Sequence, residues 1–270
     1  MSLFLPPEIL DLVAEHLYGE RATLKICCLV SKSWVPRARR HLFARVEFHH
    51  DDSPVESWMK AFPDPANSPA HHVRSLRICS LPDLVAATTV AHAWTRTFSN
   101  IVKLIVETKP WDDNQTTLVS LHALSPVLKT LTLIHNSIPS SEVFNLICSF
   151  PSLEDLSLMS IGDRETDTSA LPPISPKFTG ALYLVMNRGI RLDVSRLLSL
   201  PGGLHFTRIL VGCLEEDFES ITGLVSACCG TLETFTVMQY FLGAFLMIWL
   251  VNKLLTGAHR SGRTVDIRPA

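Results

Sequence analysis

The chain has 270 residues, 47% of them hydrophobic, with a mean hydropathy of +0.23 and a formal net charge of −2. That composition supplies a substantial core for one domain or two and excludes wholesale disorder. The slight acidic balance argues against a general nucleic-acid binder, which carries a basic excess.

The first residues, Met1 to Pro6, show neither a basic n-region nor a long apolar stretch, so no signal peptide is expected. Two of the cysteine pairs, Cys27-Cys28 and Cys228-Cys229, are vicinal, which is poor disulfide geometry. Reduced thiols in the cytosol or nucleus follow.

Residues 1–48 predict three short helices. Pro6-Pro7 suits a helix start, because proline's fixed φ and missing N–H are tolerated in the first turn, and Glu8 favours the positive end of the helix dipole. Ile9, Leu10, Leu12, Val13 and Leu17 spread over an arc of roughly 160°, wider than one core-facing stripe needs. A second helix through Leu24, Ile26, Cys27, Leu29 and Val30 is apolar around most of its circumference. So small a unit cannot hide that much apolar surface by itself, and it expects a partner: another chain or the rest of this one.

Leu5-Pro6-Pro7-Glu8-Ile9-Leu10, the later Leu17 and Leu29-Val30-Ser31-Lys32-Ser33-Trp34 resemble an F-box. The family's pattern is Leu-Pro-x-Glu-Ile/Leu-Leu, a leucine about a dozen residues on, and Val-Ser/Cys-Lys/Arg-x-Trp. Cys27-Cys28 departs from it, standing where bulkier aliphatic residues are common. The resemblance implies docking onto a Skp-type adaptor through Leu5, Pro6, Ile9, Leu10, Leu29, Val30 and Trp34, and through that adaptor onto cullin and RING subunits.

From 49 to 70 the chain turns polar, with four prolines between Pro54 and Pro69, and reads as a linker around one amphipathic piece at Val55–Phe62. Beyond it one pattern recurs. Val73-x-x-Leu76-x-Ile78 is followed by copies centred on Leu104, Leu131, Leu156, Leu182, Ile209 and Phe235, at gaps of 28, 27, 25, 26, 27 and 26 residues. That period falls in the range of leucine-rich repeats. Only the copy from Leu128 to Asn136 carries the full Leu-x-x-Leu-x-Leu-x-x-Asn. Between copies lie apolar stripes at helical spacing: Leu118/Leu121/Leu124, Val143/Phe144/Ile147/Cys148 and Phe218/Ile221/Val225/Cys228. The expected fold is α/β: an F-box-like module at 1–48, a linker at 49–70, and a leucine-rich-repeat solenoid of about seven units over 71–238, with parallel strands on its concave face and helices outside.

Strand alternation sends Ser75, Arg77, Cys79, Lys103, Ile105, Glu107, Thr130, Thr132, Ile134, Asp155, Ser157, Met159, Ala181, Tyr183, Val185, Arg208 and Leu210 away from the Leu-x-Leu side. Arg77, Lys103, Glu107, Thr132, Asp155, Tyr183 and Arg208 are the candidate substrate contacts on this mixed face, which suits a protein segment better than a phosphate.

Tyr240 to Val251 is an apolar run, too short for an ordinary membrane span, so membrane association is disfavoured. It reads as a helix closing the array, an anchor, or part of a truncated array. The polar tail from Gly257 does not resume the repeat. His49-His50 and His71-His72 lack metal-site spacing, and neither a P-loop nor a nucleophile elbow is present, so no metal, cofactor or catalysis is expected. The resemblance to fungal-type F-box proteins with leucine-rich repeats implies a non-catalytic substrate receptor for ubiquitin ligation, holding a protein target on the strands. A repeat scaffold capped by its N-terminal helices, or a membrane-associated one, is the alternative.

Overall fold

Alternating runs such as Thr130-Leu131-Thr132-Leu133 put one set of side chains on each face of an extended strand. The computed structural model describes residues 6–49, 54–79, 97–107, 121–122, 124–134, 140–159, 176–185, 190–213, 217–239 and 264–269. Among them nine such strands occur: β1 Arg45–Phe48, β2 Ser75–Cys79, β3 Lys103–Glu107, β4 Thr130–Ile134, β5 Asp155–Met159, β6 Ala181–Val185, β7 Arg208–Cys213, β8 Thr234–Gln239 and β9 Thr264–Pro269. They form one α/β sheet in the order β1 to β9, and every neighbouring pair is parallel.

The seven central residues predicted from the sequence stand directly opposite one another, from Leu76 beside Leu104 through to Ile209 beside Phe235. The row continues at both ends. Val46 pairs with Leu76 and Val265 with Phe235, each 30 residues away (76 − 46 and 265 − 235). Two expectations are therefore corrected. The sheet starts at Arg45, inside the stretch assigned to the N-terminal module, because Val46 and Phe48 continue the inward row. The C-terminal tail does rejoin the pattern, through Val265 and Ile267. The apolar run 240–251 lies outside the described residues.

Inward positions of the strands are buried throughout β2 to β8 and merge into one continuous core. Among the described residues three helices after β2 cover that face: α5 (Ser140–Cys148), α6 (Ile190–Leu198) and α7 (Phe218–Ala227). They contribute Val143, Phe144, Ile147, Val194, Leu197, Ile221 and Leu224 to the same core. Each fully buried aliphatic side chain is worth about 1.5–3 kcal/mol. The opposite face is half-exposed on most strands, as alternation requires. Strand β6 departs, since Ala181 and Val185 are buried on the predicted outward side.

Strand starts are stapled by a repeated backbone motif. The carbonyl of Ala44 accepts hydrogen bonds from the N–H groups of Arg74 and Ser75 (2.9 and 3.0 Å). The carbonyls of Arg74, Val102, Lys129, Gly180 and Thr207 each accept two successive N–H groups at the start of the next strand in the same way. One step differs. Glu154 carbonyl accepts only from Gly180 N–H (3.1 Å), and the Ala181 N–H donates instead to Asp155 Oδ1 at 2.6 Å.

Before the sheet come α1 (Pro7–His16), α2 (Arg21–Val30) and α3 (Val35–Leu42). Pro7 and Pro36 lie in first turns, and Gly19, at φ 101°, makes the left-handed turn between α1 and α2 that an L side chain would strain. Helix α3 packs on both others, and Arg37 Nε meets Asp11 Oδ1 at 2.7 Å, tying it to α1. The stretch read as a linker is docked against the rest of the chain. Its helix α4 (Pro54–Ala61) carries Trp58, whose ring lies 4.9–6.0 Å from those of Phe43, Phe48, Phe62 and Phe98. These edge-on and tilted contacts join the end of α3 to the first strands.

Candidate binding surfaces

Two surfaces emerge from this geometry. The first is on the sheet face turned away from the helices. Parallel in-register pairing aligns outward residues in rows across the strands: Lys103–Thr130–Asp155 and Ala181–Arg208 in one, Ile105–Thr132–Ser157–Tyr183–Leu210 in the next. Lys103, Thr130, Thr132, Asp155, Ser157, Tyr183 and Arg208 line an open depression of about 430 Å³. Five of the seven predicted contacts thus meet in one place: Lys103, Thr132, Asp155, Tyr183 and Arg208. Thr130 and Ser157 join them. Their small hydroxyls gave no individual signal, although the row pattern put them on the right face.

Of these five, Asp155 is committed internally. Its Oδ1 accepts the Ala181 N–H and its Oδ2 accepts from Thr130 Oγ1 at 3.2 Å. It holds the backbone of β6 in addition to lining the depression. Lys103 and Arg208 form no ion pair among the described residues and are exposed.

Arg77 and Glu107 are not part of the depression. Arg77 Nη2 donates to Glu107 Oε2 at 2.6 Å, and this bond is the main reason the guanidinium pKa is raised. Cys79 Sγ lies 3.7 Å from the same oxygen, and burial chiefly pushes its thiol up. These residues neutralise one another across β2 and β3, so they present no net charge to a partner.

The second surface is apolar. Ile9, Leu12 and Val13 on α1 are 42%, 53% and 39% exposed, and Ile26, Leu29 and Val30 on α2 are 61%, 85% and 68% exposed. Of the adaptor contacts that the resemblance implies, Pro6, Ile9, Leu29 and Val30 are exposed and Trp34 is half-buried. Leu5 lies outside the described residues. Leu10 is a correction, because it is buried with Ala14, Leu24 and Ala38 in the small interior of the helices, one turn from Ala14 on the inward face of α1. Leu12, Val13 and Ile26 were missing from the candidate contacts. The wide apolar arc of the two helices was the signal for them.

Among the described residues no group of three His, Cys, Asp or Glu side chains could hold a metal ion, and no helix is long and apolar enough to cross a membrane. The His71 and His72 rings meet at a tilt, their centroids 3.9 Å apart, and burial together with His71, Arg39, Arg40 and Arg74 lowers the His72 pKa. No protein-family model matches the chain, and neither does any curated protein or solved structure.

Proposed function

We propose that the chain is the substrate-recognition subunit of a Skp–cullin–F-box ubiquitin ligase, with α1–α3 as an F-box-like module and the strand-and-helix units as a leucine-rich-repeat solenoid. The observation that carries this reading is the exposure of Ile9, Leu12, Val13, Ile26, Leu29 and Val30 on two short helices. An uncovered apolar surface on so small a unit marks a docking site, and Ile9, Leu29 and Val30 fall within the F-box-like motif. The regular sheet supports the second half of the reading, since it offers a broad outward face well supplied with side chains.

On this reading the protein performs no chemistry and needs no cofactor. Its contribution is spatial: a target held on the sheet is presented at high effective concentration to the ligase assembly carried by the adaptor.

Co-expression with a Skp-type adaptor tests the proposal. The wild-type chain is expected to co-purify with the adaptor, and Leu29→Asp with Val30→Asp to abolish the complex. Both side chains face solvent, so the variant should retain the wild-type melting temperature. A folded wild-type chain that ignores the adaptor would remove the ligase role and leave an interaction scaffold.

A further inference from the structure

The trough on the sheet has a chemistry that narrows its occupant. Lys103 and Arg208 lie in the same outward row on β3 and β7, with β4, β5 and β6 between them. Both side chains line the same depression, and neither has an acidic partner among the described residues. The one carboxylate there, on Asp155, already accepts the Ala181 N–H and the Thr130 hydroxyl. The floor therefore offers hydroxyls, the exposed Tyr183 ring and one carboxylate engaged by neutral donors, bounded by two cations. The next two rows toward the strand C-termini mix the half-buried Ile105, Ile134, Met159 and Leu210 with Thr132, Ser157 and Tyr183 and with Glu107, which is paired to Arg77. A chain of formal net charge −2 thus sets two cations against one carboxylate in this groove, a net positive trough beside a shelf of apolar side chains interspersed with polar ones.

We infer that this trough binds an extended acidic segment of a protein partner, with carboxylates on Lys103 and Arg208 and apolar side chains on the shelf. Four strand spacings put the two backbones about 19 Å apart, and both residues line a common depression. A chain extended at about 3.3 Å per residue then needs acidic residues about three to six positions apart. A backbone separation on that scale suits two carboxylates on one peptide better than a single small anion such as free phosphate. The inference rests on the receptor reading only in taking this partner to be the ligase target.

The test is to pan a phage-displayed random peptide library on the purified full chain. Enriched peptides are then measured by fluorescence anisotropy against wild type, Lys103→Glu, Arg208→Glu and the distant control Lys60→Glu. Paired acidic residues at that spacing with apolar neighbours are expected. Either reversal in the trough should weaken binding about tenfold or more, as loss of a charge-assisted contact implies, and Lys60→Glu should leave it unchanged. Higher salt should weaken it further. Enriched sequences without an acidic excess, or binding indifferent to both reversals, would overturn the inference. So would a labelled oligothymidylate that binds the trough more tightly than any selected peptide. Adaptor pull-down is a separate readout on a different surface. Losing the adaptor while retaining acidic-peptide binding would sink the ligase role and keep the trough; the converse would sink only the trough.

Discussion

Gly180 and Asp155 are coupled by space, and the coupling has a measurable size. A Cβ added at Gly180 would overlap the Asp155 carboxylate and come within 3.1 Å of the Glu154 carbonyl. Gly180→Ala must therefore push the carboxylate away from the Ala181 N–H it now accepts at 2.6 Å. A hydrogen bond to a charged group contributes about 1.5–3 kcal/mol, and a donor left unpaired adds its desolvation. Gly180→Ala is thus expected to destabilise by about 2–3 kcal/mol. Asp155→Ala removes the same bond, together with that to Thr130, and should cost a similar amount. With the carboxylate gone, however, the new methyl meets mainly the Glu154 carbonyl. In the Asp155→Ala background, Gly180→Ala should then cost less than about 1 kcal/mol, leaving a coupling energy of about 1.5–2 kcal/mol. Urea unfolding of the four proteins, followed by far-ultraviolet circular dichroism, measures it. Additive losses would show that the new methyl does not displace the carboxylate, and a negligible loss from Asp155→Ala alone would show that the side-chain bond at the interrupted staple carries no stability.

Other perturbations follow from burial. Phe206 is fully buried with its ring centroid 4.8 Å from that of Phe178, so Phe206→Ala should cost about 3–5 kcal/mol by denaturation, whereas Leu29→Ala, at an exposed position, should change stability by less than about 0.5 kcal/mol. Burial pushes the Cys148 and Cys228 thiols up to about 11, so both should resist alkylation at pH 8 until urea unfolds the chain, and exposed Cys229 should react at once; mass spectrometry of the alkylated protein reads this directly. Because those thiols ionise more readily once unfolded, their contribution to stability should fall as the pH rises from about 9 to about 11. The opposite sign applies to His72, whose pKa is lowered in the fold: protonation favours the unfolded chain, so stability should drop as the pH falls below the ordinary histidine value of 6.5, and His72→Gln should flatten that slope in melting curves.

Much of the sheet could be read from spacing alone, because each strand contributes an apolar-x-apolar unit whose burial the alternation enforces. The first strand was legible in the same terms. Phe43-x-x-Val46-x-Phe48 repeats the spacing of Val73-x-x-Leu76-x-Ile78, but it sits inside a stretch whose stronger signal was the F-box-like motif. At the other end, Val265-x-Ile267 has glycine at the preceding apolar position and charged neighbours, which hid its strand character. Placement of Lys103, Thr132, Tyr183 and Arg208 in a single trough followed from register, which the constant period implied. The internal use of Asp155 and the Arg77–Glu107 pair did not, since periodicity says which face a side chain takes and nothing about which neighbour it bonds. Leu10 shows the same limit on a helix: its motif position suggested a contact, while its one-turn separation from Ala14 set it inward.

Sequential strand order also has a kinetic consequence. Each pairing closes a loop of 25 to 30 residues, from one central position to the next. Loop-closure entropy grows only logarithmically, so the shortest and longest of these differ by about 0.2 kcal/mol. Topology therefore gives no strand a head start as the folding nucleus. Where the chain begins to fold is left to local packing density, and the aromatic cluster around Trp58 and the Phe178–Phe206 pair are two rival starting points. Substitutions at either should redirect the order of assembly while leaving the final register unchanged.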